Sequence, residues 1–181
     1  MRSRDRRLEP PAQVRPERAE DQAQVHRVHL EAFGREDEAR LVDALRRSPA
    51  FIPELSLVAV RALEVVGHIL LTRVVVRDAE SGHHALALAP MAVRPPWQRQ
   101  GFGSALVRRG LEEARRLGHD LVIVVGHPGY YPRFGFVCAP AHALRAPFPV
   151  AAEAFMALEL QPGVLSRVRG EVVYPPEFAL V

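Results

Sequence analysis

Met91-Ala92-Val93-Arg94-Pro95-Pro96-Trp97-Gln98-Arg99-Gln100-Gly101-Phe102-Gly103-Ser104-Ala105-Leu106 is the stretch on which the fold turns. Its start closes an apolar run, 84–93, that reads as a strand buried on both faces. Its end opens an amphipathic helix, about 103–117, with Leu106, Val107, Leu111, Ala114 and Leu117 along one stripe and Gly118 to stop it. The loop between them holds Gly101 and Gly103. Glycines let a backbone approach a ligand, and the free N–H groups of a helix start attract anions, phosphates above all. Such a pair also suits an ordinary turn. Two familiar phosphate loops are excluded. The dinucleotide fingerprint needs a small residue where this chain has Leu106. A Walker loop needs lysine, and the chain has none.

Outward from this segment, 13–15 reads as a short first strand. Asp21 is placed to cap a helix that runs to Phe33 and stops at Gly34, with Val25, Val28 and Phe33 apolar. A second helix, about 37–46, carries Leu41, Val42 and Leu45 at helical spacing. Residues 55–60 and 65–76 read as a hairpin turning at 61–64, and Ser81-Gly82 as a second turn. Beyond the long helix come a buried strand at 120–125, a short helical turn at 128–133, and strands at 154–160 and 171–174 divided by Pro162-Gly163. The order β-α-α-β-β-β-α-β-α-β-β predicts an α+β fold with a mixed central sheet.

With 181 residues, the chain reads as an Arg-rich, flexible tail at 1–12 and one domain at 13–181. Apolar residues make up 48% and charged residues 25%, which excludes disordered and fibrous classes. The longest apolar stretches, 85–93 and 121–126, fall well short of the ~20 residues of a membrane helix. One cysteine, Cys138, excludes a disulfide framework and a cysteine-rich zinc module. The tail lacks the apolar core of a secretory signal, so a cytoplasmic location is expected. All 24 basic residues are Arg, and Asn is absent too, which reads as codon bias. The pI of 9.7 overstates a net charge of only +3, because Arg does not titrate in the relevant range. Nucleic acid is therefore not the expected partner.

A second motif lies downstream of the glycine loop: Tyr130-Tyr131-Pro132-Arg133-Phe134-Gly135-Phe136. Gln98-x-x-Gly101-x-Gly103 after the strand Leu86-x-Leu88-x-Pro90-Met91-Ala92-Val93, followed by Tyr131-x-x-x-Gly135-Phe136, resembles the GNAT family of N-acetyltransferases. Residues 53–59 and 155–163 extend the likeness, over about 13–178, to a bacterial YhbS-like subgroup. The resemblance implies the acyl-CoA N-acyltransferase (GNAT) fold, a mixed sheet splayed between its fourth and fifth strands and flanked by helices, with acetyl-CoA in the splay. It implies that backbone N–H groups of Arg99, Gly101, Phe102, Gly103 and Ser104 hold the pyrophosphate and that the Arg99 side chain adds a contact. Pantetheine would pair with the backbone of Met91 and Val93. The implied reaction moves acetyl from acetyl-CoA to a primary amine of a small molecule or peptide, by direct attack in a ternary complex and without a metal. Tyr131 takes the family's acid position; Tyr130 takes it if the turn is rotated. A homodimer is compatible with the resemblance.

Some relatives place a Glu on the strand before the loop, whereas here 85–89 holds only Ala and Leu. The base is left to Glu31, Glu54, His68, His83, His84 or ordered water. A lone strand histidine such as His68 more often belongs to the core. Cys138 lacks a His or Asp at triad-like spacing and reads as a small buried apolar residue. Trp97 reads as a packing anchor. The cluster Glu36-Asp37-Glu38 reads as a solvated helix start or as an attractor for a cationic amine. The competing function is a non-catalytic acetyl-CoA-binding module, a sensor or a nucleic-acid-associated domain; Tyr131 favours the enzyme.

Overall fold

Runs of Val, Leu and Ile between 56 and 93 have no way to bury themselves except by pairing side by side. The structure, a computed structural model, describes residues 13–79 and 81–181; the tail expected at 1–12 lies outside them. Strands β1 (Gln13–Pro16), β2 (Ser56–Arg61), β3 (Glu64–Arg77) and β4 (Gly82–Val93) form an antiparallel meander. β5 (Leu121–Val125) joins β4 in parallel. Beyond β5 the sheet is antiparallel again, through β8 (Phe155–Glu159) to β6 (Val137–Cys138). β9 (Gly170–Val173) pairs with the far end of β3, and β7 (Leu144–Arg145) runs parallel to β9.

Strand alternation sorts the core into two faces. Helix α3 (Phe102–Arg116) sets Leu106, Val107 and Leu111 against Leu57, Ile69, Leu71 and Leu86. Helices α1 (Gln22–Phe33) and α2 (Asp37–Leu45) cover the other face, where Val25, Val28, Leu41 and Leu45 meet Val58 and Leu70. A short α4 (Val164–Arg167) sets Val164 in a third apolar cluster with Leu121 and Phe155. The expected α+β fold is the observed one.

The feature that positions the site is a gap in the ladder. β4 has 12 residues, yet only Leu86 and Ala87 pair with β5, opposite Val122 and Ile123. Past that point the two strands part, so the sheet splays between its fourth and fifth strands.

Several local readings change. Asp21 does not cap α1; its carboxylate accepts from Arg15 at 2.6 and 3.0 Å and from the Arg18 N–H at 2.8 Å, so it caps the 3-10 turn Ala19–Asp21 instead. The helical turn expected at 128–133 is a 3-10 turn at Tyr131–Phe134, its tightness set by Pro132 and by Gly135 at φ 96°. Cys138 is exposed rather than buried, because β6 is an edge strand with both residues facing solvent; its thiol lies 3.4 Å from the Ala152 carbonyl. β6, β7 and α4 are additions that their two- to four-residue lengths left without periodicity.

Candidate functional site

The loop that ends β4 is held open by its own side chains. Gln98 Nε2 donates to the Val93 carbonyl at 2.9 Å, and Gln100 Nε2 donates to the Pro96 carbonyl at 2.8 Å. Arg99 and Gly101 both adopt left-handed backbone, φ 59° and 91°. Trp97 anchors the loop, edge-on to buried Phe102 and under the Arg61 guanidinium at 4.6 Å. The chain then enters α3, whose first N–H groups, at Phe102, Gly103 and Ser104, have no carbonyl one turn behind them. The Phe102 ring packs in the core, so only its backbone faces the loop. The Arg99 side chain is exposed.

The edge of β4 lies alongside. The Arg94 N–H bonds to the Val66 carbonyl of β3 at 2.9 Å. Strand alternation therefore turns the Met91 and Val93 amides toward the parted edge. The Val93 carbonyl there already accepts from Gln98.

The two tyrosines close the far side and point to different places. The Tyr130 hydroxyl hangs over α3: a Cβ at Gly103 would stand 2.9 Å from it. This hydroxyl is buried and has no hydrogen-bond partner among the described residues. Its ring is held under the Arg133 guanidinium at 3.9 Å. Tyr131 is buried and lies across Gly126 at the end of β5, where any Cβ would come within 2.3 Å of its ring. Burial, and then Tyr130 beside it, pushes the Tyr131 phenol well above its ordinary range. It therefore stays protonated at neutral pH, as a donor must.

Met91, Tyr130 and Tyr131 border a cavity of about 1090 Å³ that fills the splay and extends under α2 and the C-terminal segment. Of the base candidates, none lines it. Glu31 is held by Arg94 at 2.7 Å, and His83 is 2.9 Å from Asp120. Glu54 and His84 are exposed. His68 is fully buried in a polar network of the core, 2.8 Å from His29 and 2.9 Å from Ser56. Glu17 closes that network with bonds to Ser56 and Arg46.

The acidic groups that do line the cavity are Glu38 and Glu171, with His127 at the end of β5. Glu38 is 7% exposed and is bound by the Arg35 guanidinium, one contact at 3.1 Å. It is not part of a solvated helix start: Glu38, Leu41, Val42 and Leu45 share the i, i+3, i+4, i+7 face, a spacing that carried the signal. Glu171, in a four-residue strand, carried none.

A splayed mixed sheet with a helix N-terminus and a glycine loop beside the gap is the acyl-CoA N-acyltransferase architecture. Comparison with known proteins agrees. The acetyltransferase (GNAT) domain matches residues 13–139, and the chain belongs to this family. It is 40% identical over 134 residues, 74% of each protein, to the uncharacterised N-acetyltransferase YjhQ of Escherichia coli (strain K12). It is 33% identical over 148 residues to YhbS of the same organism, covering 81% of this chain and 86% of that one. The crystal structure of E. coli YhbS in complex with CoA superposes with a TM-score of 0.87 at 30% identity, over 98% of this chain and 96% of the other. A GNAT family acetyltransferase from Brucella melitensis, in complex with acetyl-CoA, gives 0.75 at 32% identity, over 92% and 97%.

Proposed function

We propose that this protein transfers acetyl from acetyl-CoA to a primary amine by direct attack in a ternary complex. The observation that carries the reading is the parted β4–β5 edge beside α3, where the Tyr130 hydroxyl lies buried, without a partner among the described residues, over the bare face of Gly103. A buried hydroxyl without a partner costs about 1–3 kcal/mol, and a bound polar ligand removes that cost. The residues suit acetyl-CoA: N–H groups of Arg99, Gly101, Phe102, Gly103 and Ser104 for the pyrophosphate, the Arg99 guanidinium for its charge, and the Met91 and Val93 edge for the amide arm. CoA in E. coli YhbS and acetyl-CoA in the Brucella protein support the same choice.

The thioester supplies an acyl carbon: the amine nitrogen bonds to it as the C–S bond breaks, the nitrogen loses its proton to water, and the sulfur gains one. Tyr131 is assigned as the acid. Burial keeps its O–H neutral, so it donates to the departing sulfur as a hydrogen bond before full proton transfer. Tyr130, whose hydroxyl sits at the α3 N-terminus, is assigned to hold the donor. The apolar walls assist proton loss, since desolvation disfavours an ammonium ion.

CoA release measured against a panel of amines tests the reading. Turnover on any primary amine supports it. Tight acetyl-CoA binding without turnover on any amine replaces it with the non-catalytic binding module.

A further inference from the structure

We infer that the acceptor is an amine on an apolar or aromatic body that bears no carboxylate or phosphate. The inference rests on the amine-acetylating reading and concerns the other end of the same cavity. That end is formed by α1, α2 and the segment 171–181, away from the glycine loop.

Its walls are aromatic. Phe33 closes α1, Phe148 tilts against Tyr174 at 5.7 Å, and Tyr174 against Phe178 at 5.0 Å. Phe33 and Phe148 remain 42% and 45% exposed. Large side chains left this open beside a deep cavity favour a ligand that covers them, at about 25 cal/mol for each Å² removed from water.

Its charge has one sign. Apart from histidine, arginine is the only cationic side chain in the protein, and no described arginine lines the cavity. Buried Glu38 does; Glu171 also borders it but is exposed and stands across the ladder from Arg77 and Arg145. Arg35 reaches Glu38 from the solvent side: its own side chain is 57% exposed, and it also lies 3.6 Å from Asp37. An ionised carboxylate offers about four acceptor positions, and Arg35 takes two of them. An ammonium group entering along the apolar wall therefore meets acceptors. A carboxylate or phosphate on the same molecule meets no guanidinium and loses its water uncompensated.

The test compares 2-phenylethylamine, L-phenylalanine, L-phenylalaninamide and a tetrapeptide with a free C-terminal carboxylate by CoA release from the full chain with acetyl-CoA. The kcat/KM for 2-phenylethylamine should exceed that for phenylalanine by at least about tenfold, the cost of one unpaired buried charge. Phenylalaninamide, which keeps the branch without the charge, should recover most of the loss. Glu38→Gln should raise KM for 2-phenylethylamine with little change in kcat and narrow its lead over phenylalanine. A merely structural Glu38 would leave that ratio unmoved. Equal or better turnover of phenylalanine or the peptide overturns the inference, as does an unchanged ratio in Glu38→Gln. If no amine turns over, the amine-acetylating reading fails, and calorimetry on the CoA-saturated protein decides the rest. Binding of 2-phenylethylamine but not of phenylalanine upholds the cavity's preference, and any other pattern refutes it.

Discussion

Gly103 is the position where one added carbon should do the most damage to acetyl-CoA binding and the least to the fold. Its backbone is helical, so a side chain strains no dihedral, and alanine at a helix position is favoured over glycine by up to about 1 kcal/mol. The new methyl would stand 2.9 Å from the Tyr130 hydroxyl, 3.7 Å from Val93 Cγ2 and 3.9 Å from Met91 Cε. Tyr130 has little room to retreat, with the Arg133 guanidinium over its ring and Tyr131 and Phe134 at 5.1 and 5.4 Å. The methyl crowds Tyr130, the side chain assigned to hold the donor, and the space over the α3 N-terminus, so Gly103→Ala should weaken acetyl-CoA binding about tenfold, or about 1.4 kcal/mol. Gly103→Asp adds a like charge. At about 5 Å and an effective dielectric of about 20, each phosphate charge costs about 3 kcal/mol, before screening. The expected loss is then upward of about 100-fold. Calorimetry with acetyl-CoA measures both variants, and circular dichroism confirms that they fold. A Gly103→Asp protein that binds acetyl-CoA as tightly as the parent would refute the phosphate-loop assignment, and with it the donor half of the site.

Tyr131→Phe should lower kcat about 100-fold, near the lower end of general-acid contributions, at nearly unchanged KM; loss of kcat in Tyr130→Phe instead moves the acid one residue back. Cys138→Ala should leave turnover intact and stability within about 0.5 kcal/mol, because the thiol is exposed. An acetyl-thioester on Cys138, found by mass spectrometry after mixing with acetyl-CoA alone, would point to a covalent route instead. Stability should fall in acid in two stages. Burial, then His68 beside it, holds His29 well below the ordinary imidazole range, so its contribution is present above pH of about 6.5 and is lost as pH falls. Burial alone would raise Glu17, but His68 at 3.7 Å and the bonds from Ser56 and Arg46 win and hold it at about 2, so its share is lost from about pH 4.5 downward. Urea midpoints between pH 8 and pH 3 measure this, and a flat profile would contradict it.

The donor half of the site was legible in the sequence because it is local. A strand, a glycine loop and a helix start lie within sixteen consecutive residues, and hydrophobic period locates all three. The α+β order followed from the same periodicity, and the position of the splay from the family motif. The acceptor half was not legible. Its walls come from the ends of α1 and α2, a loop at 147–148 and the C-terminal segment, brought together only by tertiary packing. The spacing of Glu38 with Leu41 and Leu45 was the one local clue there. The division of labour between Tyr130 and Tyr131 depends on Gly126, which gives the second ring its place, and nothing in the local pattern ties that glycine to that ring. Cys138 was misplaced because a two-residue edge strand has no period to read.

The cavity's walls are drawn from two portions of the chain. The glycine loop, the β4 edge, β5 and both tyrosines fall within 13–139, the portion matched by the acetyltransferase domain. Phe148, Glu171, Tyr174 and Phe178 all lie beyond it. Part of the acceptor wall is thus encoded apart from the donor side, while Phe33 and Glu38 share its stretch. Phe148, Tyr174 and Phe178 can be diversified to change which amine is taken, whereas β8 and β9 of the same stretch pair with β5 and β3 and must be kept. For directed evolution this makes Phe148, Tyr174 and Phe178 the natural library, and the first test of such a library is whether its members keep their affinity for acetyl-CoA.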